Sequence, residues 1–218
     1  MKHSLLLFLV LSTLPLSARA DETISLFDGK SLAGWTDKKG GEPSKGWVVE
    51  DGALFRKEGG GDIYTKDEYG DFELSLEWKV APKANSGIKY RMHRYANGSV
   101  LGPEYQVLDD KGHSNGKDPK TSAGSAYDLL APSDDKELKS VGEWNSTKIV
   151  ARGTKIEHWL NGKMILAFDT AGPEYTKAVA KSKFKDLDKF AQNPKGRIML
   201  QDHGDQAWFR KITLKKLD

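Results

Sequence analysis

Residues 72–80 alternate apolar and polar side chains without a break, and this pattern strongly restricts how the chain can fold. Phe72, Leu74, Leu76, Trp78 and Val80 fall on one face of an extended strand, and the polar residues between them fall on the other. Successive side chains of a strand point to opposite sides of its sheet. Nine residues of period two therefore predict a strand with one buried side.

The same signal recurs in short segments along the chain. Asp51-Gly52 and Asn161-Gly162 each separate two apolar runs, and such dipeptides favour tight hairpin turns. Further strands are predicted at residues 23–27, 88–94, 104–108, 148–152, 196–202 and 207–217. Residues 85–87 are interpreted as a turn, and residues 173–190 as one or two short helices. Many short strands with Gly and Asn turns are typical of an all-β fold with two stacked antiparallel sheets.

The first twenty residues resemble a targeting segment rather than part of the fold. A short polar head at Lys2 is followed by an apolar run over residues 5–16 and by the small residues around Arg19. The run is shorter than the roughly 20 residues that a membrane-spanning helix needs. We therefore predict a signal peptide over residues 1–20, and a single domain over residues 21–218. The protein would be exported to the periplasm or secreted, without membrane insertion after cleavage.

Composition excludes several classes of chemistry and of partner. The chain contains no cysteine, so disulfides, thiol nucleophiles and thiolate-bound zinc are excluded. Without Lys2 and Arg19, the remaining 32 basic residues nearly balance the 31 acidic ones. The lysines are scattered among acids, which indicates a solvated surface rather than a nucleic-acid partner.

Residues 102–110 contain the pair of polar side chains from which the site is predicted. Glu104 and Gln106 project from the same side of a strand, where they would form a polar floor for a ligand. Sandwich glucanases carry further acids on one such strand. Here Gln106 cannot ionise, and Asp109 falls on the opposite face from Glu104 if the strand stays regular. The pair of acids for retaining hydrolysis is absent.

A second polar pair, Gln201 and His203, shares one face of a later strand. Glu77 and Arg91 occupy the polar faces of their own strands. If these strands are neighbours in one sheet, all of these side chains converge with Glu104 and Gln106. The alternative is an ordinary solvated sheet face. Such a face favours Thr, Lys and Ser, whereas these positions carry Gln, Glu, Arg and His.

Six segments in this order resemble the 3-keto-disaccharide hydrolase family. They are residues 26–35, 85–91, 104–109, 142–145, 158–162 and 198–210, and the resemblance covers residues 24–217. It implies a concanavalin A-like jelly-roll sandwich with a ligand groove on the concave sheet, and action on sugars oxidised at C3. It also carries polar site positions over to this chain, at Arg91, Glu104, Gln106, Gln201 and His203.

The roles of these residues are our hypothesis from the chemistry of a C3 ketone, which acidifies the hydrogen at C2. A base removes that proton, the enolate expels the glycosidic oxygen, and water adds. His203 or Glu104 would be the base, Arg91 would stabilise the enolate, and Gln106 and Gln201 would bind sugar hydroxyls. Glu77, Asp109 and His158 are further candidates.

Two points stay open at the level of the sequence. A divalent metal held by carboxylate and imidazole would suit such a site, but nothing in the residue spacing requires one, and no cofactor is predicted. The alternative function is a lectin-like module that binds carbohydrate in the same groove without cleaving it.

Overall fold

A computed structural model of the protein describes residues 22–217, and the predicted signal peptide lies outside the described residues. Fourteen strands lie within this part of the chain: β1 Thr23–Ser25, β2 Trp35–Thr36, β3 Trp47–Glu50, β4 Ala53–Arg56, β5 Ile63–Thr65, β6 Phe72–Val80, β7 Asn85–Arg94, β8 Val100–Leu101, β9 Glu104–Leu108, β10 Asn145–Arg152, β11 Lys155–Leu160, β12 Lys163–Asp169, β13 Arg197–Leu200 and β14 Ala207–Lys216. Within the same residues, one α-helix, α1, spans Pro173–Ala180, and two short 3-10 helices span Ser114–Lys117 and Pro119–Thr121.

The strands form two antiparallel sheets. The larger sheet has the order β12-β11-β10-β6-β14-β4-β3, and β1 also pairs with β14. The smaller has the order β2-β5-β13-β7, and β7 then pairs with β9 along its first half and with β8 along its second. The predicted all-β sandwich of two antiparallel sheets is therefore confirmed. One or two short helices were predicted, and one α-helix is found.

The core lies between the sheets, and strand alternation builds it. Along β6 every second residue is buried, from Phe72 to Val80, as the period of two predicts. From the smaller sheet, Ile88 and Tyr90 of β7 and Tyr105 and Val107 of β9 enter the same hydrophobic cluster. The residues between them, Lys89 and Gln106, lie on the other face of the smaller sheet, where the site is found.

Residues 170–192 form a second layer over one edge of the smaller sheet. Tyr175 of α1, together with Phe184, Leu187 and Phe190 from the turns after it, packs against Tyr95 in the β7–β8 turn. This satellite cluster places the segment after α1 beside β9.

One local prediction is wrong. Residues 85–87 are the beginning of β7, because Asn85, Ser86 and Gly87 pair with Leu108, Val107 and Gln106 of β9. In addition, β6 and β7 follow each other in sequence but belong to different sheets. No helix within residues 22–217 is long and apolar enough to span a membrane.

Candidate active site

The register of three neighbouring strands brings polar side chains together on the outer face of the smaller sheet. Glu104 lies directly opposite Lys89, and Gln106 lies directly opposite Gly87, across the β7–β9 pair. On the other side of β7, the Gln201 N–H donates to the Gly87 carbonyl at 2.9 Å. The structure therefore brings Glu104, Gln106 and Gln201 together around Gly87, which is three of the six side chains that were expected to converge.

Gly87 provides the space that the site occupies. A Cβ at this position would lie 2.5 Å from Glu104 Oε1 and 3.2 Å from Gln201 Oε1. Both oxygens therefore lie directly over the backbone of β7, where only glycine leaves room for them. The glycine therefore lies at the point on β7 over which side chains from the chain segments on both sides meet.

The Glu104 carboxyl group is buried but has cationic neighbours. Only 8% of Glu104 is exposed, and Lys89 Nζ lies 3.3 Å from its Oε2. Burial raises the pKa of Glu104, and the charges of Lys89, Lys183 and His203 offset this only in part, so that the pKa stays above its usual value. A carboxylate in this state has a high affinity for a proton.

The two amide side chains present unused acceptors to the same space. Gln106 Nε2 donates to the Thr121 carbonyl at 3.2 Å, which fixes the side chain. Gln106 Oε1 and Gln201 Oε1 are both buried and have no hydrogen-bond partner among the described residues. Because an unpaired buried acceptor is costly, these oxygens are suited to ligand hydroxyl groups.

His203 is exposed and follows β13, and it lies near enough to Glu104 for its charge to lower the pKa of that carboxyl group. The preceding Asp202 fixes the turn, since its carboxylate forms a 2.6 Å ion pair with Arg56 and accepts the N–H groups of Gly60 and Gly61, each at 2.8 Å. These backbone donors and Arg56 outweigh burial and hold the pKa of Asp202 below its usual value. The imidazole therefore projects from a well-anchored turn.

Sequence reasoning missed three residues of the site: Lys89, Tyr127 and Lys183. Lys89 belongs to the polar face of the strand in which Arg91 was singled out, so strand alternation could have identified it. Tyr127 donates its N–H to the Glu104 carbonyl at 3.1 Å, and Lys183 Nζ lies 4.3 Å from the centre of the Tyr127 ring. These two come from connecting segments, and no periodic signal marks them.

The structure does not bring Glu77 to this site, because β6 and β9 belong to different sheets and the condition for its convergence is not met. Glu77 belongs to β6 in the larger sheet, on the face turned away from the core. Its carboxylate binds Arg210 Nε and Lys211 Nζ, both at 2.7 Å.

Arg91 also lies away from the site, because a β-bulge redirects its side chain. The register of β7 against β13 shifts here, and Arg91 has a φ of 47°. The guanidinium is buried, with Nη2 at 2.9 Å from Asp71 Oδ1 and Nε at 3.0 Å from the Gly70 carbonyl. The predicted enolate stabiliser is thus occupied by structural contacts.

His158 and Asp109 also have structural surroundings. His158 is fully buried, with Nδ1 at 3.0 Å from the Gly124 carbonyl and Nε2 at 2.9 Å from the Tyr90 hydroxyl. Burial lowers its pKa to about 4. The Asp109 carboxylate accepts backbone N–H groups, including that of Lys83 at 2.8 Å, and so anchors the loop after β9. Neither group reaches Glu104, and their predicted part in substrate binding is not supported by these contacts.

Among residues 22–217, no group of three or more His, Cys, Asp or Glu side chains is arranged to hold a metal ion. The polar groups around Glu104 are amides and ammonium groups instead.

Comparison with known protein families assigns the chain to one of them. The family described as the 3-keto-alpha-glucoside-1,2-lyase-like domain matches residues 22–215, which is nearly the whole described region. The chain belongs to this family. The resemblance deduced from the six segments is thereby confirmed.

Individual members of the family and solved structures agree with this assignment. A 3-keto-disaccharide hydrolase of Bacteroides thetaiotaomicron is 34% identical, in an alignment that covers 95% of this chain and 83% of the relative. A crystal structure from Parabacteroides distasonis, provisionally described as that of a glycosyl hydrolase, has 28% identity and a TM-score of 0.79, covering 90% and 94% of the two chains. A second structure from that organism, with the same provisional description, has 30% identity and a TM-score of 0.70, covering 90% and 100%.

Proposed function

We propose that the protein is a glycoside-cleaving enzyme that acts on 3-keto-glycosides, including 3-keto-disaccharides, by proton abstraction, elimination and hydration. Its membership of the 3-keto-alpha-glucoside-1,2-lyase-like family supports carbohydrate cleavage. One observation supports this chemistry above all others: a single buried carboxyl group, Glu104, lies beside an ammonium group and on the same sheet face as two unpaired amide oxygens.

The surroundings of Glu104 disfavour direct hydrolysis of an acetal. Retaining glycosidases place two carboxyl groups about 5 Å apart, one as acid and one as nucleophile. Here the direct cross-strand neighbour of Glu104 is Lys89, and Gln106 lies where a second acid would stand two residues along the strand. One base and one cation fit a reaction through an enolate.

In the proposed sequence, Glu104 takes the proton from C2 of the oxidised ring. The C–H electron pair forms the C2–C3 double bond, and the ketone oxygen becomes an enolate. The enolate re-forms the C3 ketone, and its C2–C3 electron pair forms a C1–C2 double bond as the bond between C1 and the glycosidic oxygen breaks. That oxygen takes up a proton and leaves as the alcohol. Water then adds to C1 of the resulting enone and a proton returns to C2, so that the overall reaction is hydrolysis.

The residues of the site have distinct roles in these reaction steps. Burial strengthens Glu104 as a base, because its raised pKa lies closer to that of the acidified C–H. Lys89, rather than Arg91, would stabilise the negative charge of the enolate, since preorganised cations act strongly in a site of low dielectric. Gln106 and Gln201 would accept hydroxyl hydrogens of the sugar, and His203 would protonate the leaving oxygen.

Export is the second part of the proposal, and it rests on the sequence of residues 1–20. Intact-mass analysis of the protein from the cell envelope or medium of its bacterium would test it. A chain that begins at Asp21 is expected, and a chain that retains residues 1–20 would contradict cleavage.

The activity is tested by incubating the protein with a 3-keto-disaccharide and with its unoxidised parent, while monosaccharide release is measured. Release from the oxidised sugar alone is expected. Release from the parent at a similar rate would contradict the role of the ketone. Calorimetric binding of either sugar without any release would indicate the lectin-like alternative.

A further inference from the structure

A separate cleft opens beside Glu104, on the side away from the amide oxygens. It has a volume of about 330 Å³, and Lys89 and Glu104 form its inner end. One wall is the β7–β8 turn with Asn97 and Ser99, and the other is the segment after α1 with Phe184.

The order of groups along β7 separates this cleft from the amide pocket. Glu104 lies opposite Lys89, two residues along β7 from Gly87, and its Oε1 lies over Gly87 beside Gln201 Oε1. The cleft continues in the same direction, toward the turn that follows β7. A ring held over Gly87 with C2 at Glu104 would therefore direct its C1 substituent into the cleft.

The walls of the cleft are apolar on one side and polar on the other. Leu101, Phe184 and Leu187 supply the apolar surface, and the Phe184 ring is fixed by stacking on Phe190 at 4.1 Å between ring centres. Ser99 and Asp186 supply polar groups. A pyranose ring has the matching character, since its C–H face is apolar and its rim carries hydroxyl groups.

The charge and the size of the cleft indicate which kind of group it binds. Two ammonium groups, Lys89 and Lys183, are balanced by two carboxyl groups, Glu104 and Asp186, so that the cleft favours a neutral group. Its volume is near the lower end of the range for small-molecule sites, which suits one ring rather than an extended chain.

We infer that this cleft is the leaving-group subsite, and that its apolar and polar walls select a single neutral sugar ring. The inference rests on the proposed function, because it assigns the glycosidic bond a direction across Glu104. It adds Ser99, Phe184 and Asp186 as residues that determine specificity for the leaving sugar.

The proposal is tested with a substitution that fills the cleft and leaves Glu104 unchanged. Ser99→Phe is placed in a surface turn, and Ser140→Phe is the matched control in a different cleft of about 280 Å³ at the far end of β9. For each variant, kcat/KM is measured with a 3-keto-disaccharide and with the methyl 3-keto-glucoside. Ser99→Phe is expected to lose at least about 10-fold with the disaccharide and less than 2-fold with the methyl glycoside.

Asp186→Ala provides a second variant on an exposed residue, with an expected loss of about 3- to 10-fold for the disaccharide alone. Equal losses with both substrates, or no loss with either, would overturn the subsite. If the wild type turned over neither substrate, the proposed function would fail. Calorimetry would then still decide the subsite, which requires Ser99→Phe to weaken disaccharide binding and Ser140→Phe to leave it unchanged.

Discussion

Lys89 Nζ lies 3.3 Å from Glu104 Oε2, and the two residues face each other directly across the β7–β9 pair. The charge of Lys89 therefore lowers the pKa of a carboxyl group whose pKa burial raises.

Glu104→Gln is expected to reduce kcat with a 3-keto-disaccharide by at least about 100-fold, because a general base contributes roughly 10²–10⁴. The substitution keeps the shape of the side chain and removes its basicity. Steady-state kinetics with the exposed Glu174→Gln as control checks it. Activity within 3-fold of wild type would exclude Glu104 as the base.

Lys89→Met is expected to shift the acid limb of the pH–rate profile to higher pH. The charge of Lys89 lowers the pKa of Glu104 against the effect of burial, so its removal lets that pKa rise further and leaves the base protonated over a wider range. We also expect kcat to fall by about 10-fold or more through lost enolate stabilisation. The exposed Lys195→Met, whose contact with Glu68 is 3.8 Å, should change neither; an unshifted limb in Lys89→Met would count against the pair.

Gly87→Ala is expected to displace the Glu104 carboxylate, since the new Cβ would lie 2.5 Å from its Oε1. A misplacement of about 1 Å can cost about 100-fold, so a loss of 10- to 100-fold in kcat/KM is expected. Gly59→Ala is the control, because its Cβ would meet only Arg56 Nη2, at 3.9 Å. Thermal unfolding should show that the Gly87 variant is still folded, and full activity in that variant would refute the positioning role.

His158 is expected to make the protein acid-labile. Burial lowers its folded-state pKa to about 4 from the ordinary 6.5, so the unfolded chain takes up a proton first as the pH falls. Its contribution to stability is complete above about pH 6.5 and is lost progressively between about pH 6.5 and 4, amounting to roughly 3 kcal/mol.

His158→Gln, which cannot titrate, should lack that part of the pH dependence. Urea unfolding of both proteins between pH 7.5 and 4 measures the difference. Parallel stability curves would show that His158 is not the source.

Much of the fold follows from alternation in the sequence, because strand faces depend only on local spacing. The same spacing placed Glu104, Gln106 and Gln201 on one surface, and the Ile156, His158, Leu160 alternation also carried a signal that His158 faces the core. Strand partners could not be predicted in this way, since β6 pairs with β10 and β14 over long sequence separations. The sequence therefore could not decide whether Glu77 converges with Glu104.

The remaining differences arise from irregular backbone. One extra residue at the β7 bulge sends Arg91 to Asp71, and no hydrophobic pattern marks such a position. Lys183 and Tyr127 reach the site from turns whose paths depend on packing of the satellite cluster around Phe184. The charges around Glu104 are thus a tertiary property.

Proton abstraction by Glu104 is tested most directly by following the hydrogen at C2 of the oxidised ring during turnover. Wild-type protein in deuterium oxide, given a 3-keto-disaccharide, should release a monosaccharide that carries deuterium at C2, and a substrate deuterated at C2 should react more slowly. Glu104→Gln should abolish both the release and the exchange. Cleavage that keeps the original C2 hydrogen, without an isotope effect, would contradict proton abstraction by Glu104.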